Sequence, residues 1–256
     1  MTPIIEESYW DTVRRLSAFQ KAAAPGAPAY SILVNRRLGR LFAALAYRAG
    51  LSPNNVTLIS ATFTFAAIAT IALVRPNFIV GVLVWLLLAL GYALDSADGQ
   101  VARLTGGGSP AGEWLDHVID ALKAVSLHSA VLICIYRFFP VDRVWLLVPI
   151  AFSIVASGLF FAMILNDQLR AVHAARRGTT HQLRTGSTLF RSILLAPTDY
   201  GVLCLVFVTL GAPVVFLAIY TFLFAANAGY FALAARKWFG DMTALGAAVP
   251  ADVEDR

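Results

Sequence analysis

Six apolar stretches, at about 57–74, 78–97, 114–136, 144–166, 192–211 and 213–234, leave this chain few folds to choose from. Each approaches the roughly 20 residues that a helix needs to cross the hydrocarbon core of a bilayer. Membrane helices satisfy their own backbone hydrogen bonds, so no soluble-style core is required. Composition agrees with this: 59% of the 256 residues are hydrophobic and 14% are charged, where soluble chains run near a quarter charged. The mean hydropathy is +0.71. The third and fifth stretches carry polar residues. The sequence predicts an all-α integral membrane protein with six transmembrane helices, preceded by an N-terminal amphipathic interfacial helix.

Basic residues orient the spans. With the N-terminus in the cytoplasm, that side receives Arg14, Arg15, Lys21, Arg36, Arg37, Arg40, Arg48 and Arg103. It also receives Arg170, Arg176, Arg177, Arg184 and Arg191 from the 167–191 loop, then Arg236, Lys237 and Arg256. The other side receives Arg75, Arg137 and Arg143, while Lys123 lies within a span. This is a strong positive-inside bias. It places a multi-pass protein in a bacterial-type cytoplasmic (inner) membrane with both termini inside. The net charge of +5 then reads as topology and attraction to anionic membrane lipid, not as nucleic-acid binding. Cys134 and Cys204 sit singly in apolar runs and read as packing residues. The acidic start MTPIIEESYW shows no cleavable signal peptide.

Residues 1–29 read as an amphipathic segment and linker: a helix over 4–21 with Trp10, Val13, Leu16 and Phe19 as anchors, then the breaker-rich AAAPGAPA. Residues 30–49 form a second amphipathic helix, with Leu38, Leu41, Phe42 and Leu45 opposite Arg36, Arg37 and Arg40. Such a mixture suits the membrane interface. The membrane domain is expected over 30–238. A C-terminal tail is expected to be disordered over 239–256.

The chemistry lies in the run LDSADGQVARLTGGGSPAGEWLDHVID. Asp95 and Asp98 are spaced i to i+3, and Asp116 and Asp120 i to i+4, so each pair shares a helical face. The Gly106–Gly108 bend lets the two pairs oppose one another. One aspartate at a membrane edge is commonly a cap or a surface charge. Four drawn together repel unless divalent cations lie between them. The sequence therefore predicts a metal cage. Hard oxygen donors, without Cys or His at ligand spacing, favour Mg²⁺ or Mn²⁺. Gly99 admits a group close to the backbone, Ala102 is equally small, and the planar Arg103 cation suits diphosphate oxygens. Gly112 permits close packing, and His117 points off the Asp116 face. Lys123, three residues after Asp120, either neutralises the cage or holds an anion.

The pattern Asp95-x2-Asp98-Gly99-x2-Ala102-Arg103-x8-Gly112-x3-Asp116-x3-Asp120 resembles the signature of the CDP-alcohol phosphotransferases, with every position filled. The resemblance extends more weakly over 30–238. It implies transfer of a phosphate-linked group from a CDP-alcohol to an acceptor hydroxyl, with release of CMP. By the same resemblance, Asp95, Asp98 and Asp116 bind one divalent ion and Asp95, Asp116 and Asp120 a second. Asp120 doubles as general base, and Asn54, Thr57, Gly99, Ala102, Arg103 and Ser109 line the CDP site. The donor expected for a chain in lipid is CDP-diacylglycerol, and the acceptor a small polar alcohol or its phosphate. Transfer of a CDP-linked headgroup to a lipid hydroxyl is the mirror-image alternative. A homodimer is also implied.

Other signals bear on the acceptor. One or two of the arginines over 170–191 are expected to touch it. Asp199, in RSILLAPTDYG, is an intramembrane acid and a candidate by position, or a partner for Lys123. That stretch departs from the Arg-Pro-Glu-Arg pattern of phosphatidylinositol-phosphate synthases, which counts against an inositol-phosphate acceptor. A polyprenyl transferase would carry its two acidic motifs on distant helices. A transporter would carry acids near the midplane and broken helices in both halves.

Overall fold

Proline, glycine and short polar caps set where each helix begins and ends. The computed structural model describes residues 7–18, 28–178 and 189–247, and among these every element is helical. Helix α1 spans Tyr9–Ala18. A π-helical turn, Ser31–Asn35, leads into α2 (Arg36–Arg48). Then come α3 (Pro53–Leu73), α4 (Phe78–Leu104), α5 (Pro110–Phe138), α6 (Leu147–Arg176), α7 (Leu189–Leu194), α8 (Tyr200–Val206) and α9 (Pro213–Ala247). Ser52 Oγ accepts from Asn55 N at 3.2 Å, Asn77 Oδ1 from Val80 N at 2.9 Å and Ser109 Oγ from Gly112 N at 3.1 Å. These caps satisfy amides that a helix start leaves unpaired. Proline in the first turn of α3 and α5 costs no helical hydrogen bond. Helix α4 stops where Gly106 and Gly107 take φ of +99° and +121°, a conformation that carries no Cβ penalty in glycine.

Among the described residues, five helices are long and apolar enough to cross a membrane: α3, α4, α5, α6 with its leading 3₁₀ turn, and α9. The stretch expected as the fifth span, 192–211, differs from the expectation. It is broken into α7, a 3₁₀ turn at Ala196–Thr198, α8 and a 3₁₀ stretch at Phe207–Gly211. Pro197 has no amide to donate, and Asp199 Oδ1 caps a fresh helix by accepting from Gly201 N at 2.9 Å. The Tyr200–Gly211 segment packs tightly along α4: a Cβ on Gly81 would lie 2.6 Å from the Phe207 carbonyl oxygen, and one on Gly211 2.5 Å from Phe78 N.

Two other boundaries move. Helix α6 continues through Arg176, so the first part of the expected 167–191 loop is helical. Helix α9 likewise runs through Ala247 into the expected tail. Arg170 Nη2 meets Asp241 Oδ2 at 2.5 Å and Arg177 Nη2 donates to the Leu245 carbonyl at 3.2 Å, so both arginines tie α6 to α9. The linker over 22–27, Phe19, Arg184, the Arg191 side chain and the tail beyond 247 lie outside the described residues.

The main core joins Ile71, Val84, Leu88 and Val131 to Phe207, Phe216 and Tyr220. Cys134 and Cys204 are buried there, unpaired. Large apolar side chains also cover the outside: Ile79 is 83% exposed, Phe239 77% and Leu233 74%. Water would penalise that surface and lipid does not. In α2 the inward face is small rather than large. Gly39, Ala43 and Ala46 are buried, while Leu38, Leu41 and Leu45 face outward. A Cβ on Gly39 would fall 2.7 Å from Ser96 Oγ of α4, so the glycine permits the contact.

Candidate active site

Helix α3 packs along both α4 and α5. The bend after Leu104 turns the chain back, so the acidic faces of α4 and α5 meet beside α3. Asp95, Asp116 and Asp120 each present a carboxylate oxygen, all within 4.8 Å of one another. Asp98 stands beside this triad, on the same cavity wall as Asp116. Its Oδ2 accepts from Thr57 Oγ1 at 2.7 Å and its Oδ1 faces Gly99 N at 2.5 Å. The Thr57 hydroxyl on α3 therefore draws this side chain toward itself. Thr57 Oγ1 also lies 3.1 Å from the Pro53 carbonyl.

Lys123 neutralises part of the cluster. Its Nζ lies 2.5 Å from Asp95 Oδ1, 3.0 Å from Asp120 Oδ1 and 3.4 Å from Ser60 Oγ, and the residue is buried. It does not pair with Asp199. That carboxylate accepts from Ser31 N at 3.0 Å and from Gly201 N, joining the π-helical turn before α2 to the start of α8. His117 stands 3.7 Å from Asp116 Oδ2 and 3.8 Å from Glu113 Oε1, edge-on to Phe160.

Two cavities flank the carboxylates. One, of about 810 Å³, is formed by the first turns of α3 and α5, the end of α4 and the glycine bend. All six residues expected around CDP line it: Asn54, Thr57, Gly99, Ala102, Arg103 and Ser109. Their parts differ. Ser52, not Asn54, caps α3. Ser109 is occupied as the cap of α5, and Thr57 acts through Asp98. A Cβ on Gly99 would meet nothing nearer than Arg103 Nη1 at 3.9 Å. This glycine therefore leaves open space at the wall rather than easing helix packing. At Gly112 a Cβ would lie 3.0 Å from Asn54 Oδ1, the close approach of α5 to α3 expected there. Helix N-termini carry unpaired amides and positive dipole ends, so the first turns of α3 and α5 suit a diphosphate.

The second cavity, of about 350 Å³, lies on the bundle side. Asp98 and Asp116 line the first cavity, and Asp95 and Asp120 the second, so the acids form the partition between them. Tyr92, His128, Tyr200 and Asn227 line this second space, and sequence reading missed all four. Ser60 was missed as well. Their only signal is polarity inside apolar runs, and nothing local says which face of the bundle they share.

A divalent cation fits this donor set. The Lys123 ammonium contacts two of the four carboxylates, Asp95 and Asp120; all four are hard oxygen donors, and uncompensated charge in such surroundings is costly.

The model of the CDP-alcohol phosphatidyltransferase family matches residues 50–231. The chain belongs to that family. Archaetidylinositol phosphate synthase of Pyrococcus horikoshii is 36% identical over 91 residues, which is 36% of this chain and 44% of that protein. The chain thus spans under half the length of this curated relative. A crystal structure of Mycobacterium tuberculosis phosphatidylinositol phosphate synthase, in complex with manganese and citrate, aligns over 84% of this chain and 91% of its own. The identity is 17% and the TM-score 0.48.

Proposed function

We propose that this family member moves a phosphatidyl group from CDP-diacylglycerol to an acceptor hydroxyl and releases CMP. The observation that carries this reading is the partition: a carboxylate cluster with one cavity holding every expected CDP residue on one side and a second cavity on the other. CDP would lie against Asn54, Gly99, Ala102 and Arg103, with its diphosphate toward Arg103 and the acids. The acceptor would approach from the second cavity, where Asp120 faces it. The acceptor oxygen bonds to the lipid-bearing phosphorus, the bond from that phosphorus to the CMP oxygen breaks, and Asp120 takes the acceptor proton. A carboxylate at the edge of the cluster, within reach of the incoming hydroxyl, suits a general base.

Two Mg²⁺ or Mn²⁺ ions, held by Asp95, Asp116 and Asp120 with Asp98 as a further donor, would supply positive charge against the diphosphate and the leaving CMP oxygen. Lys123 holds Asp95 and Asp120 in place from the bundle side, and Thr57 fixes Asp98. We place the 30–238 domain in a cytoplasmic membrane with this site on the cytoplasmic side, as a homodimer. In that arrangement Tyr200–Gly211, running beside α4, completes a sixth crossing. The distribution of basic residues supports this orientation.

The test uses purified protein, CDP-diacylglycerol labelled in cytidine, and a panel of soluble and lipid alcohols. CMP should appear with at least one acceptor in Mg²⁺ and vanish in EDTA. A well-folded preparation that releases none with any acceptor contradicts the reading. The acceptor in this reading is a small polar alcohol or its phosphate; in the mirror-image alternative a CDP-linked headgroup passes to a lipid hydroxyl.

A further inference from the structure

Lys123 is the buried cation of the carboxylate cluster. An ammonium has three N–H donors, and here each has a partner: Asp95 Oδ1 at 2.5 Å, Asp120 Oδ1 at 3.0 Å and Ser60 Oγ at 3.4 Å. Ser60 Oγ itself donates to the Gly91 carbonyl at 2.9 Å, which leaves its lone pairs for the lysine. Residues of α3, α4 and α5 therefore fix this charge together, and burial keeps water from screening it as it screens a surface lysine.

The charge is placed unevenly. Lys123 touches Asp95 and Asp120, which line the second cavity, and neither Asp98 nor Asp116, which line the first. Asp98 is tied instead to the neutral Thr57 hydroxyl. Arg103 shares the wall of the first cavity but is exposed, where solvent weakens its field. Of the two divalent ions in the reading above, the one on Asp95, Asp98 and Asp116 shares a single carboxylate with the ammonium. The one on Asp95, Asp116 and Asp120 shares both of the lysine's carboxylates.

Cations bound to the same carboxylates stand within a few ångströms of each other and repel strongly where water is scarce. With the four acids ionised, the ammonium and a first divalent ion leave the cluster one net negative charge. A second ion would turn it positive. The diphosphate of a CDP-alcohol brings negative charge to that point and removes the obstacle.

We propose, on the basis of the two-ion transfer reading above, that Lys123 makes the second divalent site conditional on a nucleoside diphosphate. The ion on Asp95, Asp116 and Asp120 binds firmly only when the donor's diphosphate lies in the first cavity. The clamp is thus completed by the donor, and an acceptor that enters alone meets a site with one ion.

The test counts Mn²⁺ bound per chain by equilibrium dialysis of the purified protein, alone, with CDP, and with cytidine as the control that lacks phosphate. The parent should hold one ion alone or with cytidine and two with CDP, the second site tightening about tenfold or more. Lys123→Met should hold two without CDP. A lysine that only braced the helices would give the reverse, because its loss would weaken both sites. Two ions of similar affinity in the parent without CDP, or a Lys123→Met chain that binds no more ions than the parent, overturns the inference and leaves phosphatidyl transfer standing. No second ion even with CDP overturns the inference and the two-ion part of the transfer reading, while CMP release still tests the transfer itself. If Lys123→Met does not purify as a folded protein, linkage in the parent decides. Affinity for CDP must rise about tenfold as Mn²⁺ is raised from the level that fills the first site to the level that fills the second. A CDP Kd unchanged over that range overturns the inference.

Discussion

Asp199 and the α4–α5 acids are both carboxylates among apolar helices, yet the protein treats them in opposite ways. Asp199 receives two backbone amides, one from Ser31 at the start of the π-helical turn and one from Gly201 in α8. Its oxygens are used within the fold, and it joins two chain segments 168 residues apart. Asp95, Asp98, Asp116 and Asp120 have Thr57 and Lys123 as their hydrogen-bonding side-chain partners, and cavities open on both sides. A buried acid becomes a candidate site when its charge remains only partly matched and a ligand has room to complete it. Position at membrane depth does not make that distinction by itself.

Substitutions can break or sharpen this contrast. The largest expected effect is from Asp120→Asn. It should lower CMP release by about 10²- to 10⁴-fold, the usual worth of a general base, while the protein elutes and melts as a folded chain. Next is Lys123→Met. It removes the one ammonium touching Asp95 and Asp120, and breaking a buried pair costs about 3–5 kcal/mol. Thermal melts in EDTA should show the loss, with Mg²⁺ recovering part of it. A variant that melts like the parent in EDTA would mean that Lys123 does not hold the cluster. Thr57→Val should cost less, about 1.5–3 kcal/mol for a hydrogen bond to a charged group, and should weaken divalent binding through the freed Asp98. Asp199→Asn should do least. Asparagine can keep the cap on Gly201 while giving up the Ser31 contact, so some stability is lost but CMP release should stay within about twofold of the parent. If Asp199→Asn cuts turnover as deeply as Asp120→Asn, the two regions are not different in kind.

How far the sequence could be read follows the same divide. The four aspartates and the glycines between them were legible because helical spacing and a bend are local properties. The gathering of Asn54, Gly99, Ala102 and Arg103 around one cavity followed from the family resemblance. The break within the fifth segment was not legible, because hydropathy averages over Pro197 and Asp199, the residues that interrupt the helix. The helical run 167–176 was read as a loop because DQLRAVHAAR is polar, although its residues favour helix and Arg170 docks on α9. Ser60, Tyr92, Tyr200 and Asn227 could not be found, because they reach the site from different helices and only tertiary packing brings those faces together.

The account depends most directly on whether the partly matched acids hold a divalent cation. Titration of Mn²⁺ into the purified protein, followed by calorimetry and by the spin signal of the free ion, measures this without any substrate. Saturable binding is predicted, weakened about tenfold or more in Asp116→Asn and unchanged in Asp199→Asn. Equal binding by the parent and Asp116→Asn, or none by the parent, would contradict it.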